Sequence, residues 1–176
     1  MKIATWNVNS LRVRLPQLTT WLAEQLSEDA VDVIALQETK TPNDDFSGAE
    51  IEALGWHVAF SGQRTYNGVA ILSRMPLSEP LAGLPEFTDE QKRVLAVTIG
   101  DVRVVDVFRK FEQPEQSFSW WDYRAATFRP SRGLRIDLIL AGAAMSSVCL
   151  SCQIDRQPRT WERPSDHPPV IARFKI

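Results

Sequence analysis

Asp166 stands directly before His167 in "RPSDHPPV", residues 163–170, a proline-rich corner ahead of an apolar run. An acid beside an imidazole can fix the ring tautomer, so the pair could be half of an active site. Taken alone, the pair also suits a surface turn. Three more polar residues stand in costly places. Asn7 closes the run "KIATW", Glu38 follows "VIALQ", and Asp137 lies inside "LRIDLIL". A carboxylate bordered by apolar residues needs a partner or a cation. Each has a plain structural reading: Glu38 can pair with Lys40, and Asp137 with Arg135 or a backbone amide. Together, two carboxylates, an Asp-His pair and an Asn amide form the oxygen-rich set that hard cations such as Mg²⁺ or Mn²⁺ take. His57, isolated between Trp56 and Val58, reads as an ordinary histidine.

These residues need strand ends to hold them. "KIATWNV" reads as a strand. "SLRVRLPQLTTWLAEQL" reads as a helix, with Leu11, Leu15, Leu18, Leu22 and Leu26 at helical spacing, Ser10 as its cap and Pro16 as an awkward interior residue. "VDVIALQE" is a buried strand. "GAEIEALGW" is a short helix closed by Gly55. "HVAFSG", "GVAILSR", "RVLAVTIG" and "VRVVDVF" follow as strands, the last two as a hairpin turning at Gly100-Asp101. "RIDLILAG", a weaker "VCLSCQI" and "HPPVIARFKI" complete the strands. Asn7, Glu38, Asp137, Asp166 and His167 then all fall at or inside strand termini. With no repeat or linker, the pattern is one α/β (α+β) domain over residues 1–176.

Composition narrows the function classes. A net charge of −2 announces no nucleic-acid binder, but its distribution is uneven. Residues 1–105 hold 9 Lys/Arg against 14 Asp/Glu, and residues 106–176 hold 11 against 8. "YRAATFRPSRGLR" carries Arg124, Arg129, Arg132 and Arg135 without an acid, with Tyr123 and Phe128 interleaved. Such a stretch can track a phosphate backbone and stack on bases, or be a solvated loop. No apolar run is long enough to span a membrane. "MKIATWNVNS" breaks the run that a signal peptide needs, so a cytoplasmic protein is expected. Cys149 and Cys152 form a lone C-x-x-C in a strand, where positions three apart point to opposite faces, so the thiols are not expected to meet.

Six stretches together resemble a known family. "ATWNVNSLRVRL", "VIALQETK", "SGQRTYNGVAILSR", "FSWWDYRA", "GLRIDLILA" and "RPSDHPPV" are similar, in order, to the motifs of exonuclease III-type AP endonucleases in the endonuclease/exonuclease/phosphatase superfamily. The resemblance implies a four-layer sandwich: two packed β-sheets flanked by helices. It implies an enzyme using Mg²⁺ (or Mn²⁺) to cleave DNA phosphodiesters 5′ to abasic sites, or to remove 3′-terminal nucleotides, acting as a monomer on double-stranded DNA. Asn7, Glu38 and Asp166 match its metal-site residues, and Asp137 a further catalytic carboxylate. His167 matches its phosphate-facing histidine, with Asp166 orienting the ring. Trp120, Leu134 and Ile136 match a pocket for a base-less sugar. Arg124, Arg129 and Arg132 are candidate contacts to DNA phosphates on their charge pattern, not by a motif match.

The chain also departs from that pattern. Between Val105 and Asp106 the family carries a strand with a catalytic Tyr and a Gly-Asp-x-Asn segment. No Gly-Asp-x-Asn occurs in these 176 residues. Part of the second half of the sandwich is therefore expected to be missing. The alternative readings are a catalytically impaired DNA-binding or structural relic and, less favoured given "SWWDYR", a phosphatase of small phosphate esters.

Overall fold

The computed structural model describes residues 1–24, 30–83, 92, 95–99, 104–106, 119–121, 135–137, 139–141 and 143–175. In chain order the elements are β1 (Lys2–Asn7), α1 (Leu11–Glu24), β2 (Val33–Gln37), α2 (Gly48–Glu52), β3 (His57–Ser61), β4 (Val69–Ser73) and β5 (Ser78–Ala82). There follow β6 (Leu95–Thr98), β7 (Val104–Asp106), β8 (Leu140–Ala141), α3 (Ala143–Ser147), β9 (Cys149–Ile154) and β10 (Val170–Phe174). Six strands form the main sheet in the order β3-β4-β2-β1-β10-β9. β1 and β2 run parallel, as they must when α1 makes the crossover between them. β1 and β10, from opposite ends of the chain, pair antiparallel with Ala4 opposite Ile171.

Alternation along the strands gives the sheet two apolar faces. Ala4, Trp6, Ile34, Leu36, Ala70 and Leu72 pack against Leu11, Leu18, Trp21 and Leu22 of α1 and Ile51 of α2. The helix continues through Pro16, its sixth residue, which has no amide hydrogen to donate to the Arg12 carbonyl. On the opposite face, Val170, Ala172 and Phe174 of β10 pack with Ala141 of β8, Met145 of α3 and Ile3. Outside the main sheet, β5 pairs with β6 and β7 with β8 as two separate ladders, the second of which supplies Ala141 to this face. The two faces are unequally covered. Ile34, Leu36, Ala70 and Leu72 are wholly buried, but Ala35, Val69, Ile71 and Ala59 across the sheet are only half-buried.

Three expectations from the sequence change. "RIDLILAG" is a strand only at Leu140–Ala141. The Ile136 and Asp137 amides both donate to Ser119 Oγ, each at 3.0 Å, which takes them out of strand pairing. The strands of the expected hairpin find other partners, β6 with β5 and β7 with β8, while Gly100 and Asp101 lie outside the described residues. The cysteines share a face. Cys152 pairs with Ala172, Ser151 with Arg173, but Cys149 with Phe174, so Leu150 is an extra residue on β9. This bulge resets the alternation and leaves Cys149 and Cys152 both buried, with Leu150 turned outward.

Candidate active site

The loops after β1 and β2 build one side of the site by binding each other. Ser10 N donates to Glu38 O at 2.8 Å, and Leu11 N to Thr39 O at 2.8 Å. Asn9, Ser10, Glu38 and Lys40 all have positive φ, at 45°, 90°, 51° and 53°. Non-glycine residues rarely adopt this conformation, and it concentrates where surrounding structure over-determines the backbone. Gly68 completes the support with φ +83°. Its carbonyl accepts from Thr39 N at 3.1 Å, and the Asn67 carbonyl from Lys40 N at 2.9 Å.

These backbones bring four side chains together. Asn7 Nδ2 donates to Glu38 Oε1 at 2.9 Å. Lys40 Nζ is 2.9 Å from Glu38 Oε2 and donates to Asn9 Oδ1 at 2.5 Å. Asn9 Nδ2 in turn reaches Asp166 Oδ1 at 2.9 Å. Burial pushes the Glu38 carboxyl up. The donations from Asn7 and Lys40, the Lys40 charge and a smaller effect of His167 outweigh it, so the pKa lies below the ordinary value. Glu38 is thus held as a carboxylate, and His167 is near enough to feel it.

The Ser165–His167 turn, just before β10, builds the other side. Both oxygens of buried Asp137 meet His167 Nδ1, at 3.0 and 2.8 Å. A carboxylate only accepts, so Nδ1 carries the proton and Nε2 is the nitrogen left for other work. The resemblance assigned this orienting role to Asp166, and the geometry gives it to Asp137. Asp166 is engaged elsewhere, accepting from Asn9 and, through Oδ2, from Trp120 Nε1 at 3.1 Å. Ser165 Oγ joins the two sides, donating to Asn7 O at 2.6 Å and accepting from His167 N at 3.2 Å.

The structure therefore gathers Asn7, Glu38, Asp137, Asp166, His167 and Trp120 into one network. Ile136 is adjacent to it and 52% exposed. Leu134, Arg124, Arg129 and Arg132 lie outside the described residues. Among the described residues, no group of three or more His, Cys, Asp or Glu converges as a metal cage. Asn9, Lys40, Ser165 and Ser119 were not singled out from the sequence as site residues. The signal for Asn9 was the N-x-N spacing after β1. The Lys40–Glu38 pair had been foreseen only as a structural alternative. A cleft of about 670 Å³ opens beside Lys40, with Arg12, Arg64, Ser10 and Ser47 on its walls and Asp45 as its acid.

This chain is similar to proteins of one kind. The Endonuclease/Exonuclease/phosphatase family model matches residues 4–110. Exodeoxyribonuclease III of Haemophilus influenzae is 25% identical over 271 aligned positions, covering 99% of this chain and 100% of that protein. Those positions outnumber the 176 residues here, so a sizeable block of the relative has no counterpart. A Neisseria 3′ phosphatase bound to a product DNA hairpin superposes with a TM-score of 0.93 at 31% identity, covering 100% of both chains. An AP endonuclease from Archaeoglobus fulgidus gives a TM-score of 0.89 at 26% identity, also covering 100% of both. The chain belongs to the endonuclease/exonuclease/phosphatase family, and within it to the exonuclease III and AP endonuclease type.

Proposed function

We propose that this protein is a divalent-metal-dependent DNA phosphodiesterase that incises 5′ to abasic sites or removes nucleotides and blocking groups from 3′ ends. The observation that carries the reading is the meeting of the Glu38–Asn7 pair with the Asp137–His167 pair around Ser165. The relatives support DNA as the partner: one is bound to a DNA hairpin and another is an AP endonuclease.

The residues present fit a hard cation. The Glu38 side chain stays ionised and is 41% exposed, and Asn7 Oδ1, which accepts from Asn9 N at 3.0 Å, keeps a second lone pair for a cation. With Asp166 across the Asn9 bridge and no closed cage among the described residues, an ion held by Glu38 and Asn7 would keep water of its own, as Mg²⁺ does. Bound there, it supplies Lewis-acid stabilisation of the leaving 3′-oxygen. The protein's own groups do the rest. His167 Nε2, held by Asp137, faces a phosphate oxygen. Arg12, Lys40 and Arg64 hold backbone phosphates along the cleft. Trp120 and Ile136, which match the family's pocket positions, would line an apolar slot for a sugar without its base, which flips out at little cost. Water attacks phosphorus, and the bond to the 3′-oxygen breaks to leave a 3′-hydroxyl.

The missing Gly-Asp-x-Asn removes the carboxylate expected to align that water. A lost general base lowers the rate about 10²–10⁴-fold. This favours a second reading, a DNA-binding relic that barely turns over. The test uses duplexes bearing a tetrahydrofuran abasic analogue, a recessed 3′ end or a 3′-phosphate, with Mg²⁺ at about 10 mM to fill a weak hard-cation site. Mg²⁺-dependent products lost in Glu38→Gln and His167→Asn support the proposal. Tight DNA binding without products supports the relic, and phosphate release from inositol phosphates alone points to a small-ester phosphatase.

A further inference from the structure

Three consecutive carbonyls of the Ser165–His167 turn are each held by a different element. Arg159 Nη1, from the 3-10 turn at Gln157–Thr160, donates to Ser165 O. Trp121 N donates to Asp166 O at 3.1 Å. Trp6 Nε1, from β1, donates to His167 O at 3.0 Å. Fixing three successive peptide planes fixes where the Asp166 and His167 side chains leave the backbone. Two of these donors cannot be altered singly without other damage, because one is backbone and the other is a core indole. Arg159 is the separable one.

Arg159 is a buried cation, 7% exposed. Burying a guanidinium is costly unless its hydrogen bonds and surroundings compensate. Its carbon lies 5.8 Å from the Trp121 ring centroid, and Arg156 lies 5.1 Å from the same centroid. Trp121 is wholly buried, so it offers the guanidinium a fixed platform. A planar guanidinium can rest against an indole with its face while an edge N–H donates to a carbonyl, and an ammonium cannot do both.

We propose that Arg159 is a positioning residue of this site, setting the Asp166–His167 pair through the Ser165 carbonyl without touching substrate. For its effect on turnover, the inference rests on the nuclease reading. Its structural core does not.

The test follows Arg159→Met, which keeps apolar bulk against Trp121, and Arg159→Lys, a milder change should the first fail to fold. Two indole N–H groups serve as reporters. Trp120 Nε1 donates to Asp166 Oδ2, and Trp21 Nε1 donates to Asp155 Oδ2 at 3.3 Å, outside the turn. In nitrogen-resolved NMR, the Trp120 indole signal should shift and lose exchange protection in Arg159→Met while that of Trp21 stays. In Arg159→Ala, which leaves the guanidinium's space open, guanidinium ion added at concentrations below those that denature should return the Trp120 signal. On an active substrate, kcat should fall about 10²-fold, the cost of roughly 1 Å of misplacement, with KM within about twofold. An unmoved Trp120 indole in a folded variant overturns the proposal. Equal movement of both indoles, with no guanidinium rescue, also overturns it, since that is general loosening. Should the wild type turn over no substrate, the nuclease reading fails, and the indole pair still decides the positioning role.

Discussion

Lys40 is the cation that holds the Glu38 side of the site together, reaching Glu38 and Asn9 at once. Because the Glu38 pKa is lowered, its ionic contribution is complete above the ordinary carboxylate range and is lost only as pH falls below it. Lys40→Met removes a donor and a charge, so the Glu38 titration should move to higher pH. Carboxylate carbon NMR would follow it, and an unmoved midpoint would show that Asn7 alone keeps Glu38 ionised. Asp137 makes the matching contribution on the other side. Asp137→Asn can donate to Nδ1 and favour the wrong tautomer, so kcat should fall about 10²–10⁴-fold with little change in KM. Ring-nitrogen NMR of His167 checks the tautomer directly. The sequence showed that an acid belonged beside His167. It could not show which, because adjacency along the chain suggests Asp166, while the contact is made by Asp137, 30 residues away.

At the level of elements, the turn that carries Glu38 depends on Gly68. A methyl group there would lie 2.3 Å from Thr39 Oγ1 on a backbone with φ +83°. Left-handed backbone costs about 1–2 kcal/mol and overpacking about 1–3 kcal/mol, so Gly68→Ala should lower stability by roughly 2–5 kcal/mol. Urea unfolding measures this, and a loss under about 1 kcal/mol would mean that the loop yields easily. Strands with clean apolar runs, such as β1, β2, β4 and β10, were legible from pattern because one or both of their faces are buried. β5 was not, since "SEPLA" is exposed throughout and contains a proline. The stretch around Asp137 misled because it is apolar enough for a strand, yet Ser119 takes its amides. The bulge at Leu150 has no local signature either. It follows from how β9 meets Phe174 at the end of β10.

Across the whole molecule, charge is divided between an acidic first part and a basic second part. If Arg129 and Arg132 each neutralise a DNA phosphate, replacing both with Ala should flatten the slope of log affinity against log salt by roughly one to two units. An unchanged slope would make their loop a solvated surface. The meeting of the chain's two ends has a different consequence, one of timing. Met1 donates to the Phe174 carbonyl at 2.8 Å, and Trp6 and His167, 161 positions apart, share a hydrogen bond. β1 can find β2 early, across one helix, but it must wait for β10 across nearly the full length of the chain. Closing so long a loop is entropically costly, and distant strand pairings form slowly. The joining of the Glu38 side to the His167 side should therefore be a late event in refolding, whereas β9 and β10, whose paired residues are close in sequence, can meet on their own. Pulsed hydrogen exchange should show the amides that bond across β1 and β10 protected after those that bond across β1 and β2 and across β9 and β10. Simultaneous protection of all three pairings would mean that the two sides join as they form.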